Sequence, residues 1–378
     1  MKILFLTHHY LNEPGGGVYA SSAYINTFAD LADELVLLYP YSETEPKFIS
    51  TKVKKIPVKN DKTKVMKYFD LLRGRVHRYY DIAPQLKEKY DLVVFDTSVV
   101  SFRLVEFFKQ RGIKTLCIHH NYQIEYFKDN CLNILTKIPT LFWCKRYEGQ
   151  AIRECDLNLV LTDSDRQSLV NFYHGNPKKI FKIGVFEYSP HQYKDKFDKS
   201  KKECPLTFVI TGDLSSKQTE DSIIPWLRDY YPILEELLPD SKLIIAGRNP
   251  SSKIYDCCAL YKKVKIIPNP ESMYDVLSMG DIYICPTSLG GGLKLRIMDG
   301  LRSGMTVISH AVSTRGYEDF MEKSYLLSYD NPETFRTAIK NVIESSCNRE
   351  NIIDFYNSVF SYSAGLERVK YILKKLDF

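Results

Sequence analysis

Short apolar runs alternate with helical patterns along the whole chain, and this alternation leaves few folds open. In the first half the runs fall at residues 3–6, 35–39, 92–95, 115–118 and 157–161. In the second they fall at 207–211, 242–246, 264–267, 282–285 and 307–309. They are continuous and rich in β-branched residues rather than alternating, as in parallel strands buried on both faces. Helical periodicity between them marks βαβ units. The polar, lysine-rich segment 189–203 separates the two groups of five and has no apolar period. The reading is α/β, with two Rossmann-like doubly wound domains over residues 1–188 and 204–355. A last helix, within 356–378, carries Leu366, Val369, Leu373 and Leu376 on one face. It needs a surface for that face, on its own domain or back on the first.

A length of 378 residues suits two such domains. Hydrophobic residues at 44% and charged residues at 26% are ordinary for a soluble protein. No run reaches the ~18 apolar residues of a membrane span. Met1-Lys2-Ile3-Leu4-Phe5-Leu6-Thr7 turns polar too early for a signal peptide and reads as a buried strand. Nine cysteines without a C-x-x-C spacing fit reduced thiols in a cytoplasm, and no zinc site is expected.

The net charge of +6 is concentrated in one place. Residues 51–90 hold twelve Lys or Arg against four acids, an excess of eight that outweighs the whole chain's balance. Within this window, 64–78 places Val65, Phe69, Leu72 and Val76 at helical spacing, flanked by Lys64, Lys67, Arg75 and Arg78. Two readings stand: an interfacial helix on an anionic membrane, with residues 52–89 as the contact region, or a solvated helix with its apolar side on the core. No recognition motif for nucleic acid accompanies the charge.

The chemistry concentrates at strand ends. The strand 282–285 runs into Gly290, Gly291 and Gly292, and a helix is expected to begin immediately after them. Glycines let the backbone approach a ligand, and a helix start offers free N–H groups to an anion. Lys294 and Arg296 add positive charge in that expected first turn, so a diphosphate suits the place. Asp299 can accept hydrogen bonds from ribose hydroxyls or pair with Arg296 or Arg302 along the helix. Gly212 with Lys217, and Arg248 with Asn249, lie on further loops after strands of the same half. Their convergence favours a nucleotide site in the second domain.

The first strand leads into His8, His9 and a second glycine loop, Gly15-Gly16-Gly17, before another helix. This is not a G-x-G-x-x-G fingerprint, and Tyr39-Pro40 stands where an acid would hold an NAD ribose, so NAD is not expected. The strand 115–118 ends in His119-His120. Successive strand residues face opposite ways, so one imidazole faces the cleft. It can contact a substrate hydroxyl or phosphate, take part in acid–base chemistry, cap the next segment or, less suitably, bind a metal.

The order of these pieces resembles the GT-B fold glycosyltransferases and is most similar to the large retaining family 4, glycosyl transferases group 1, of polysaccharide and glycolipid biosynthesis. The resemblance is strongest from Phe208 to Gly316, through Gly212-Asp213-Leu214, Ala246-Gly247-Arg248-Asn249-Pro250, the segment from Gly290 to Asp299, and Arg315-Gly316-Tyr317-Glu318. In the first half, Gly15 to Gly17, His120-Asn121, Glu125 and Thr162-Asp163-Ser164 also fit. The resemblance implies two domains facing across a cleft and a C-terminal helix crossing back to the first. It implies a nucleotide diphosphate sugar as co-substrate, held mainly by the second domain, an acceptor on the first, and no bound cofactor or metal. The amides of Gly291, Gly292, Leu293 and Lys294, with the Lys294 and Arg296 charges, would hold the diphosphate. Asp299, Gly212, Arg248 and Asn249 would face ribose and base. Gly16 and Gly17 would close on the phosphates, and His120 would stand near the reacting centre.

Three departures are visible. Glycine stands where a Glu is common just before the glycine loop of the second domain, Asp299 stands for the usual Glu, and Asp213 occupies the place of a common Arg. The expected activity is transfer of a hexose, from a UDP-sugar by preference, to a glycan or lipid-linked acceptor with retention. The expected place is the cytoplasm, peripheral to the membrane. No carboxylate stands out as a covalent nucleophile, which favours front-face displacement. The alternatives are a GT-B partner subunit that recognises acceptor without chemistry and, more remotely, a nucleotide-sugar epimerase.

Overall fold

The computed structural model describes residues 1–13, 15–59, 62–74, 79–86, 88–129, 134–190, 205–290, 292–344 and 348–378. Two compact units divide the chain: one of residues 1–191 and 359–378, the other of residues 192–358. Most of the polar segment expected to be a linker lies outside the described residues.

The first unit holds seven strands: β1 (Lys2–Thr7), β2 (Glu34–Pro40), β3 (Lys54–Val58), β4 (Leu92–Asp96), β5 (Lys114–His119), β6 (Leu157–Val160) and β7 (Ile180–Lys182). They form one parallel sheet in the order β3-β2-β1-β4-β5-β6-β7. The second unit holds β8 (Thr207–Asp213), β9 (Lys242–Arg248), β10 (Val264–Pro268), β11 (Ile282–Cys285), β12 (Thr306–His310) and β13 (Leu326–Tyr329). Its parallel sheet has the order β10-β9-β8-β11-β12-β13. Both are Rossmann-like doubly wound sheets, as the alternation predicts. All five residues of β4 and all four of β11 are buried, which explains their uninterrupted apolar runs.

The three strands not foreseen are all edges. In β3, Lys54 and Pro57 are exposed and only Val58 is buried. A proline and a lysine are tolerated where one side of the ladder meets solvent. Strands β7 and β13 have three and four residues, too few for periodicity to register.

The C-terminal helix Tyr362–Lys375 belongs to the first unit and packs on helix Gly16–Leu31. Its buried face is Tyr362, Gly365, Val369, Ile372 and Leu373, with Leu376 buried just beyond its end and Leu366 half-buried. The Tyr362 hydroxyl donates to Asp30 at 2.7 Å. Arg368 donates to the carbonyls of Ile183 and Val359 at 2.7 Å each.

Helix Lys64–Leu72 corrects one of its two readings. None of its residues is buried, so its apolar side is not on the core. It stops at Arg73 before Gly74, whose φ of +69° lies in the left-handed region. The expected continuation to Arg75, Val76 and Arg78, and Lys87 further on, lie outside the described residues.

Candidate functional site

In an open parallel sheet, ligands bind beyond the carboxyl ends of the strands, where neighbouring strands lead their connections to opposite faces. In the second unit that point lies between β8 and β11, and in the first between β1 and β4. Most of the residues singled out from sequence lie beside one of these two places.

Around β8 and β11, Gly212 with Asp213 and Gly247 with Arg248 are the paired last residues of β8 and β9 rather than loops after them. The strands continue two residues further than their apolar runs because glycine and the charged pair sit at the rim. Gly247 has to be glycine: a Cβ there would stand 1.8 Å from the Gly212 carbonyl oxygen. Arg248 reaches Asp213 at 3.8 Å. Asn249 has a φ of +48°, and its N–H donates to Asn269 Oδ1 at 2.9 Å.

The loop after β11 also differs from expectation. Helix Arg296–Arg302 starts at Arg296, so Gly292, Leu293 and Lys294 are loop residues and Lys294 precedes the helix. Gly290 and Gly292 have φ of +87° and +72°, a bend that only glycine makes without strain. Gly291 lies outside the described residues. The loop is fastened from two sides. Gln218 Nε2 donates to the Leu289 carbonyl at 3.0 Å, and the buried Tyr317 hydroxyl donates to the Lys294 carbonyl at 2.9 Å.

Burial lowers the Lys294 pKa, and the nearby positive charges of Arg296 and Arg315 lower it further. The Arg296 guanidinium donates to Thr219 Oγ1 at 2.8 Å and lies under Gly212, where a Cβ would come within 3.0 Å of it. Three cations thus gather at one glycine loop, as a site for a multiply charged anion requires. Asp299 is bound by Arg302 at 2.6 Å, the helix pairing foreseen as the alternative to a ribose contact.

In the first unit the central residue is Asp96, which the sequence reading did not single out. It ends β4, is fully buried, and its Oδ2 accepts from the Thr7 hydroxyl at 2.5 Å and the Ser21 hydroxyl at 2.6 Å. Its Oδ1 meets His120 Nε2 at 2.5 Å. Burial works to raise its pKa, but the His120 imidazole, by charge and hydrogen bond, holds it below the ordinary range. A carboxylate only accepts, so Nε2 carries the hydrogen and His120 has Nδ1 left for a ligand. Among the described residues Nδ1 has no hydrogen-bond partner.

His119 faces the other way, onto Asn158 Oδ1 at 3.0 Å, and burial pushes its pKa down to about 4. His119, the last residue of β5, and His120 just beyond it thus take different partners, as their expected alternation implies. His9 stands beside His120 with ring centroids 5.1 Å apart, and burial lowers its pKa to about 3. It lies beneath Gly17, where a Cβ would fall 2.8 Å from its ring. Gly15 caps helix Gly16–Leu31 with no side-chain hydrogen bond, and no acid occupies the first turn. The amides at Gly16 and Gly17 thus open a helix whose start suits an anion.

Ligand atoms of His9, Asp96 and His120 lie within 4.8 Å of one another, close enough to consider a metal. Both Asp96 oxygens are already engaged by Thr7, Ser21 and His120, which orients an imidazole rather than leaving a ligand set open. Behind the loop after His120, the buried Glu148 accepts from the Gln123 N–H and the Tyr173 hydroxyl, each at 2.9 Å.

Known proteins bear on both units. Residues 199–345 match the family model described as glycosyl transferases group 1. The crystal structure of Anabaena Alr3699/HepE in complex with UDP and glucose superposes with a TM-score of 0.67 at 13% identity, covering 99% of each chain. The apo form of the lipopolysaccharide outer core galactosyltransferase WaaB gives 0.66 at 13% identity, covering 99% of this chain and 100% of that one. A Klebsiella pneumoniae relative, described as "Uncharacterized 44.6 kDa protein in cps region", is 25% identical over 244 residues. That match takes in 61% of this chain and 60% of the relative, so the chain spans about three fifths of the curated relative's length. The chain is built on the fold of the GT-B glycosyltransferases. The stretch matched to glycosyl transferases group 1 lies within its second unit.

Proposed function

We propose that this protein transfers a hexose from a nucleotide diphosphate sugar, a UDP-sugar by preference, to a glycan or lipid-linked acceptor in cell-surface polysaccharide assembly. The observation that carries the reading is the convergence of Lys294, Arg296 and Arg315 on the glycine loop at the β8/β11 point, within the span matched to group 1. The structural neighbours support the donor class, one having been crystallised with UDP and glucose and again with UDP-glucose. The relative from a cps region and the galactosyltransferase WaaB support the acceptor class.

In this reading the second unit binds the diphosphate through Lys294, Arg296 and the backbone of Gly292 and Leu293, without a metal. Arg248, Asn249, Gly212 and Asp299 border the nucleoside. His120, oriented by Asp96, meets the sugar or its phosphate. The bond from C1 to the phosphate oxygen breaks as the bond from C1 to the acceptor oxygen forms on the same face. The acceptor's proton passes to the departing phosphate, and configuration is retained. Asp96 is committed to three donors, so it is not a nucleophile. The cations stabilise charge on the leaving group, where preorganised electrostatics contributes most.

Thermal shift with UDP, GDP, ADP, dTDP and CMP, on the parent and on Lys294→Ala, tests the site, and transfer from the sugar of the winning nucleotide tests the activity. A rise with one diphosphate, lost in the variant, is expected. No rise with any nucleotide would favour a partner subunit that recognises acceptor without turnover.

A further inference from the structure

Two helices of the first unit leave their apolar side chains in solvent, next to each other. On helix Lys64–Leu72, Val65 is 65% exposed and Phe69 53%, with Met66, Tyr68 and Leu72 also exposed. On helix Ile134–Glu154, Ile134 is 69% exposed and Ile138 64%, with Leu135 and Phe142 exposed beside them. Trp143 joins the two. Its Nε1 donates to the Leu72 carbonyl at 3.3 Å, and its ring lies against Gly74, where a Cβ would fall 2.7 Å from it. Scattered exposed apolar residues are ordinary, but nine on two adjoining helices are not.

The charge around them is predominantly positive. Residues 62–74 carry Lys62, Lys64, Lys67 and Arg73 against a single acid, Asp70, which Lys62 neutralises. Residues 134–147 carry Lys137, Lys145 and Arg146 and no acid. Arg146 lies over the Phe142 ring at 4.4 Å, so a cation and an apolar ring occupy one place. Lysine is depleted from protein–protein contacts, whereas lysines and arginines flanking aromatic and aliphatic side chains are what an anionic lipid surface attracts.

The position of the face gives it a use. After His120 the chain forms the short helix Gln123–Asp129, and helix Ile134–Glu154 then leads back to the start of β6. Its 21 residues span about 30 Å, while the four residues of β6 span about 13 Å. Its first turns therefore overhang the carboxyl ends of the strands, and its buried residues begin only at Cys144. Helix Lys64–Leu72 likewise follows the carboxyl end of β3. Both apolar stretches lie at the end of the sheet that bears His120 and Gly17. Among the described residues no helix is long and apolar enough to cross a membrane.

We infer that residues 62–74 and 134–146 form one interfacial docking face for a membrane rich in anionic lipid. It sets the His120 end of the first unit against the headgroups, and the basic residues hold it by charge while Phe69, Ile138 and Phe142 insert. This deepens the proposed function, and rests on it, by making the acceptor one presented at a lipid surface.

The test is co-sedimentation of the full chain with vesicles of phosphatidylcholine alone and of phosphatidylcholine with phosphatidylglycerol, at low and high salt. Binding to the anionic vesicles at least about tenfold tighter than to the neutral ones, weakened by salt, is expected. The double variants Lys64→Glu/Lys67→Glu and Phe69→Ser/Phe142→Ser should each lose about tenfold in partitioning. Nucleotide thermal shift should stay unchanged in both, since the substituted side chains lie outside the residues assigned to the nucleotide. Parent protein that ignores anionic vesicles, or variants that bind as the parent does, overturns the inference. So does a concentration-dependent dimer on gel filtration that Phe69→Ser/Phe142→Ser abolishes, which would make the face a contact between copies.

Discussion

Glu148 should make the first unit less stable as pH rises, and Glu148→Gln should remove that dependence. The carboxyl is fully buried on helix Ile134–Glu154. Burial raises its pKa from 4.5 to about 8, against the opposing pull of the Gln123 N–H and the Tyr173 hydroxyl. In the unfolded chain it ionises near 4.5, and in the folded chain only near 8. Below the lower value both states hold the proton and nothing is lost. Between the two values the unfolded state binds fewer protons, so stability falls with rising pH by about 1.4 kcal/mol per pH unit. The loss comes to about 3 kcal/mol near pH ~7 and levels off at about 5 kcal/mol above pH ~8. Glutamine keeps the shape and the acceptor for Gln123, and its amide can donate to the Tyr173 oxygen. In thermal unfolding the variant should match the parent near pH ~5 and melt roughly 6–12 °C higher near pH ~7. A difference that stays constant from pH ~5 to ~8, or a parent that gains stability over that range, would refute the burial argument.

Two further substitutions address the candidate site. Asp96→Asn turns a donor toward His120 Nε2 and moves the ring hydrogen to Nδ1. Turnover should fall about 10²–10⁴-fold with the nucleotide thermal shift preserved, and a loss under about threefold would remove the dyad from the reaction. Tyr317→Phe deletes the hydroxyl that holds the Lys294 carbonyl at 2.9 Å. One hydrogen bond is worth about 1 kcal/mol, so nucleotide affinity by calorimetry should weaken about fivefold, and unchanged affinity would mean that the loop holds itself.

The sequence by itself determined the two doubly wound sheets, the ten strands away from the unforeseen edges, both glycine loops and the cations beside the second. These are local matters. A strand buried on both faces must be continuously apolar, and a backbone that bends at Gly290 and Gly292 must use glycine. Tertiary structure decided the rest. Asp96 and His120 lie 24 positions apart, and only the neighbouring places of β4 and β5 in the sheet turn them into a pair. Strand β3 reads as a basic, proline-bearing segment until the sheet order makes it an edge. The amphipathic period near Lys64 fixes which side chains share a face but not what that face meets, and the fold turns it outward beside Ile134 and Phe142. The C-terminal helix shows an apolar stripe in sequence, while its place on helix Gly16–Leu31 depends on a surface more than 330 residues away in the chain. Periodicity is set by sterics within a few residues, whereas partners are set by the order in which distant strands and helices pack.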